Sequence, residues 1–247
     1  MKTLLCLLML VSTLHAADLA ELIAAGDRHD VRFEAEAALV PYLQAEKLAP
    51  KDAKLLVKIS RQYVYRMTTL SEKDQLESCR TAVSYAERAI ACAPNECDPH
   101  LALAICLGKL TPLLAAKESV ATSFKIKQAA ETAVRLNPKS DYAWHMLGRW
   151  HQALAEIGGV TRALAKVIYG GLPPASHQEA LKCFEKAHAL NANRLIHAIE
   201  LGRTHAALGN TKEARRYIEQ GLAMKNTEKD DPETKERGRT TLENLRS

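Results

Sequence analysis

Aromatic residues are scarce in this chain, 5% of the whole, and its 11 glycines and 9 prolines are thinly spread. β-Branched residues do not lead either; Ala and Leu do, and both lose little on entering a helix, so strands are not expected. Cysteine is sparse: Cys6, Cys79, Cys92, Cys97, Cys106 and Cys183 are not a disulfide framework for 247 residues. Cys92 and Cys97 flank the turn Ala93-Pro94-Asn95-Glu96 and could pair in an oxidising compartment. Most of the set reads better as small apolar side chains on helices. No second Cys pair accompanies Cys92 and Cys97, so the case for zinc is weak. The net charge of +5 comes without a long Lys/Arg block and without aromatic residues between basic ones, so nucleic acid is not an expected partner. There is no Gly-x-x-x-x-Gly-Lys phosphate loop, no Gly-x-Ser-x-Gly elbow and no His-Glu-x-x-His helix. No enzyme, metal or cofactor is expected.

The first 16 residues stand apart. Met1-Lys2 is a short basic start, Thr3 to Leu14 is apolar, and Ala16-Ala17 follows at once. This is the layout of a secretory signal peptide, with a core too short to span a bilayer as a stable anchor. The competing reading is a buried N-terminal helix. Removal of residues 1–16 takes away Lys2 and no acid, lowering the net charge from +5 to +4. The expected divisions are then a signal peptide (1–16), a helical repeat domain (17–229) and a capping helix (230–247). An exported protein follows, periplasmic or secreted, with no integral membrane segment once the peptide is cut.

An internal repeat is the strongest signal. Trp144, Leu147, Gly148 and His151 form one helix face at i, i+3, i+4, i+7. Forty-four residues earlier stand His100, Leu103, Ala104 and Leu107, and another 44 earlier Leu56, Ile59, Ser60 and Tyr63. Ala198, Leu201, Gly202 and His205 repeat the face downstream. A second helix follows each: Ala82, Ala86 and Ala89 before Pro94; Ile126, Ala130 and Ala133 before Pro138; Ala180, Phe184 and Ala187 before Ala192; Ala214, Ile218 and Gly221 last. Small residues allow close helix approach, and Pro forbids continuation.

These faces resemble the tetratricopeptide repeat, a helix A–helix B hairpin, over roughly residues 51–224, with a weaker pair in 18–50. The expected fold is all-α, an array of such hairpins (an α-solenoid) with enlarged helix A to helix B connections. The segment Trp144-His145-Met146-Leu147-Gly148-Arg149-Trp150, a long insertion, and then Glu179-Ala180-Leu181-Lys182-Cys183-Phe184-Glu185-Lys186-Ala187 is similar to the regulator of microtubule dynamics family. That resemblance implies a tetratricopeptide-like domain with no established catalytic centre, and association with microtubules or organelle membranes. One member's domain carries phospholipid.

In such arrays helix A residues outside the packing stripe line an inner groove. Here they include Lys54, Arg61, Lys109, His145, Arg149 and Arg203, with Arg recurring at one repeat position. Guanidinium groups suit carboxylate or phosphate, so a basic groove for an acidic peptide or tail is expected. The alternative for each Arg is a structural pair with a helix B acid such as Glu87, Glu131 or Glu185. The expected function is a non-catalytic scaffold for a protein partner; the alternative is a carrier of lipid or another acidic amphiphile in the same groove. Between Leu154 and Ser176, Leu164, Val167, Ile168 and Tyr169 offer an apolar face expected to pack over the array, with a membrane contact as the other reading.

Overall fold

The computed structural model describes residues 17–172 and 174–246; the expected signal peptide lies outside them. The side chains of residues 160, 161, 164 and 169 are also outside the description. Among the described residues there is no strand, and helices follow one another as tetratricopeptide-like hairpins in two compact units that divide after Leu110.

The first unit holds α1 (residues 17–30), α2 (Ala35–Leu48), α3 (Ala53–Tyr65), α4 (Glu72–Cys92) and α5 (Cys97–Leu110). Asp52 starts α3 by accepting the backbone N–H groups of Lys54 and Leu55, and Ser71 starts α4 by accepting that of Asp74. Both satisfy donors that a helix start leaves without partners. The core runs through Ala38, Tyr42, Leu55 and Ile59, then Val64, Ala82, Ala86 and Cys106.

The second unit holds α6 (Ala116–Leu136), α7 (Asp141–Ala155), α8 (Gly159–Tyr169), α9 (His177–Leu190), α10 (Leu195–Ala207), α11 (Thr211–Ala223) and α12 (Asp231–Asn244). The helix B faces are all buried here: Ile126, Ala130 and Ala133; Ala180, Phe184 and Ala187; Ala214 and Ile218. At Gly148 an added Cβ would stand 2.8 Å from the Phe184 ring, so Gly lets α7 lie against α9.

Helices end as the prolines dictate. Ala49, Ala93 and Asn137 precede Pro50, Pro94 and Pro138, and each leaves the helical region that a following proline disfavours, whereas Pro41 lies within α2. Asn191 does the same before Ala192, so the fourth break keeps its geometry without Pro. The wide spacing between helix A and helix B faces has two causes. Helices α4 and α6 are 21 residues long, beginning well before their packing faces. In the third case α8 is an inserted helix. Its Ala165 is buried and Arg162 donates to the Leu154 carbonyl, but Val167 is 85% exposed and Ile168 also faces water. The expected apolar cover is therefore not formed by these two residues, while Leu164 and Tyr169 fall among the side chains not described.

Trp144 also differs from expectation. It is half-buried, and its indole N–H donates to Pro138 O at 2.9 Å. His100, 44 residues earlier, places Nε2 2.8 Å from Pro94 O, so the echo is real but the position serves the inter-helix turn. Trp150 is the core residue, 3% exposed, with its N–H donating to Ser123 O on α6. Cys92 is exposed and Cys97 buried, and the pairing considered for them is not made.

Candidate functional site

Helix α7 carries Asp141, His145 and Arg149 at i, i+4 and i+8, one stripe of the helix. Helix α10 answers with His197, Glu200 and Arg203, and Arg194 stands at its start. The two stripes meet inside the second unit and form a continuous polar seam where apolar packing would be the simpler solution.

At one end, Asp141 Oδ2 accepts from Arg194 Nε at 2.9 Å and Asn191 Nδ2 at 3.1 Å, and lies 2.9 Å from His197 Nε2. His197 Nδ1 is 3.1 Å from His145 Nδ1. With His197 donating Nε2–H to Asp141, its Nδ1 is the acceptor and His145 the donor. Burial, reinforced by the neighbouring His197 and by nearby arginines, drives His145 well below the ordinary histidine value. Burial also lowers His197 to about 4, against the pull of Asp141, and both imidazoles are neutral. Arg194 pairs in addition with Glu228 and lies 4.4 Å over the Tyr142 ring.

At the other end is Glu200, fully buried. Arg149 Nη1 stands 2.7 Å from its Oε1, Arg203 Nη1 donates to Oε2 at 2.5 Å, and Arg237 of α12 reaches Oε1 at 3.3 Å. Burial alone would raise the carboxyl's pKa; Arg149, Arg203 and Arg237 outweigh it and hold it below the usual value. Glu200 is thus a buried anion shared by three cations. Arg203 Nε and Arg149 Nη1 are buried and make no hydrogen bond of good geometry, so the guanidiniums are not saturated.

The expected groove residues divide accordingly. Arg149 and Arg203 come together on Glu200. His145 is a core residue, 2% exposed, and offers no surface to a partner in this structure. Lys54, Arg61 and Lys109 belong to the first unit. Lys54 is exposed at the start of α3, Lys109 is half-buried in the last turn of α5, and Arg61 pairs with Asp30 of α1. Lys58 pairs with Asp27 one turn away, and Tyr42 donates to the same carboxylate at 2.5 Å. The arginines therefore do have acidic partners, but these come from α1 and α10 rather than from Glu87, Glu131 or Glu185. Glu131 pairs instead with Lys127 of its own helix. Glu200 and Arg237 do not stand out in the sequence: Glu200 sits among the apolar residues of α10, and Arg237 lies in a segment whose polarity suggests solvent. The i, i+3, i+6 run His197, Glu200, Arg203 opposite Asp141, His145, Arg149 is the signal that could have found them. Among the described residues, no cluster of three or more His, Cys, Asp or Glu could hold a metal ion.

Helical hairpins with small-residue B faces and a charged A-helix seam define a tetratricopeptide-like repeat protein. The chain belongs to the family described as regulator of microtubule dynamics protein 1-3, which it matches over residues 22–246. It is 31% identical over 165 residues to regulator of microtubule dynamics protein 1 of Bos taurus, covering 66% of this chain and 52% of the bovine one. The Mus musculus protein of the same name is 29% identical over 177 residues, covering 70% and 56%. The chain thus spans about half the length of these relatives. Among solved structures, a thermophilic TPR protein of Thermus thermophilus superposes with a TM-score of 0.68 at 16% identity, covering 91% of this chain and 98% of that one. That likeness speaks to the fold.

Proposed function

We propose that the protein is a non-catalytic scaffold that holds an acidic segment of a protein partner against the A-helix face of its second unit. The observation that carries this is the shared carboxylate: three guanidiniums converge on the single anion Glu200, so positive charge exceeds negative charge there. Arg149 and Arg203 are the partner-facing residues, joined by Arg237. Lys54, Arg61 and Lys109 lie on the first unit, where Arg61 is already engaged by Asp30. Microtubules enter as a candidate partner through the family's name.

A fluorescent Glu-rich peptide tests this directly. Arg149→Gln and Arg203→Gln, made singly, should each weaken binding about tenfold, the loss of one charge-assisted contact, while helix content is retained. Raising salt from about 0.05 to about 0.5 M should weaken it further, because partly exposed charges are screened within about 10 Å at 0.1 M. Binding that survives both changes would overturn the reading. Binding only to acidic lipid vesicles would favour a carrier instead.

We further propose export, on the basic start, short apolar core and Ala16-Ala17 of the sequence. N-terminal sequencing of the protein from its native host should find a mature chain starting near residue 17. An intact Met1 in the cytoplasm would reject it.

A further inference from the structure

Glu200 does more than neutralise a charge. A fully buried carboxylate that touches Arg149, Arg203 and Arg237 gathers three guanidiniums around one side chain before any partner arrives. The arginines come from three helices, α7, α10 and α12, so they approach from different directions. Each keeps part of its side chain in solvent: 36% for Arg149, 21% for Arg203 and 27% for Arg237.

Charge and shape then select among acidic ligands. Three cations against Glu200 leave a surplus of two. The only other acid on these arginines among the described residues is Glu233, which pairs with Arg237 at 2.6 Å and is 64% exposed. An exposed pair of this kind is worth little and is readily exchanged. A single carboxylate would leave half of the surplus uncompensated, and its two coplanar oxygens suit one guanidinium edge-on. A phosphomonoester carries close to two negative charges near neutral pH and three terminal oxygens in a tetrahedral array, one for each arginine.

We propose that the Arg149–Arg203–Arg237 cluster is a phosphoryl-binding site, taking a phosphoserine or phosphothreonine on the partner protein, with Glu200 as the positioning residue behind it. This rests on the scaffold reading above and narrows it: phosphorylation of the partner would switch the interaction on.

The test uses the full chain and three versions of one peptide, with Ser, Glu or phosphoserine at a single position, in a binding titration. The phosphopeptide should bind at least about tenfold tighter than the Glu peptide, and inorganic phosphate should compete. Arg237→Gln should abolish most of that preference. Glu233→Gln removes only an exposed competitor, should not disturb folding, and should strengthen phosphopeptide binding. Equal affinity for the Glu and phosphoserine peptides overturns the phosphoryl assignment and leaves the acidic-partner scaffold standing. No binding of either peptide, with or without binding to phosphatidate-containing vesicles, overturns both. An unchanged phosphopeptide affinity in Glu233→Gln and Arg237→Gln together removes the cluster from the interaction.

Discussion

Gly148 shows how tightly single residues are specified. Its missing Cβ is the space that the Phe184 ring occupies, and Phe184 is itself fully buried, an interaction of roughly 1.5–3 kcal/mol in burial alone. Gly148→Ala must push the ring aside in a closed core and should cost about 1–3 kcal/mol. Phe184→Leu should also destabilise, but the double variant should lose less than the sum, since the smaller side chain makes room for the new methyl. Urea unfolding of the four proteins gives the coupling directly. Strict additivity would mean that the two residues do not share this space. Glu200 obeys a different rule at the same scale: removing it would leave three arginines facing one another in a buried setting, a loss of about 3–5 kcal/mol. For that reason the binding tests alter the arginines one at a time and conservatively.

Helix α12 is held by more than its own propensity. Asp231, buried, accepts the backbone N–H groups of Thr227 and Glu228 at 2.7 Å, folding the chain back before the helix begins. Gly238 lies against Ile199 and Ile218, so α12 covers the seam between α10 and α11. Ending the chain after Lys229 should expose that seam and remove Arg237 from Glu200. Amide exchange should accelerate through α10 and α11 while α3 and α4 keep their protection, because repeats depend chiefly on their neighbours. Unchanged protection in α10 would show that α12 is merely laid on the surface. The elements themselves were largely legible. The 44-residue echo, with its downstream copy, finds the helix B faces of α4, α6, α9 and α11 but not that of α2, and the prolines find three of four breaks. What it cannot give is the side of helix A on which Trp144 falls, because i, i+3, i+4, i+7 spacing fits a turn-facing position as well as a core one. The seam was half legible for a related reason. Arg149 and Arg203 stand out by recurrence, whereas Glu200 is inconspicuous until a neighbouring helix brings Arg149 to it.

The neutral histidine pair of the second unit has no counterpart among the groups discussed in the first, and acid should separate the two units. In the second unit, His145 and His197 are neutral in the folded state, with His197 held at about 4, while in an unfolded chain both would titrate near 6.5. The unfolded state therefore takes up protons first as pH falls. The stability tied to the neutral pair is fully present above about pH 6.5 and is lost progressively on the way to pH 4, by up to about 1.4 kcal/mol per unit for each histidine. In the first unit Asp27 titrates in a lower window. Burial would raise its pKa, but Lys58 and Tyr42 more than compensate, and it lies below the ordinary value of 3.8. Its contribution is present above 3.8 and fades only below it. Both tryptophans, Trp144 and Trp150, lie in the second unit, so their fluorescence reports that unit, while far-ultraviolet dichroism reports helices everywhere. The urea midpoint followed by fluorescence should fall steadily from about pH 7 to about pH 4, and the dichroism should retain a component that unfolds later. A fluorescence midpoint that does not move until below pH 4 would mean that the histidine pair takes up protons in the folded state as readily as in the unfolded one, and the neutral seam would have to be abandoned.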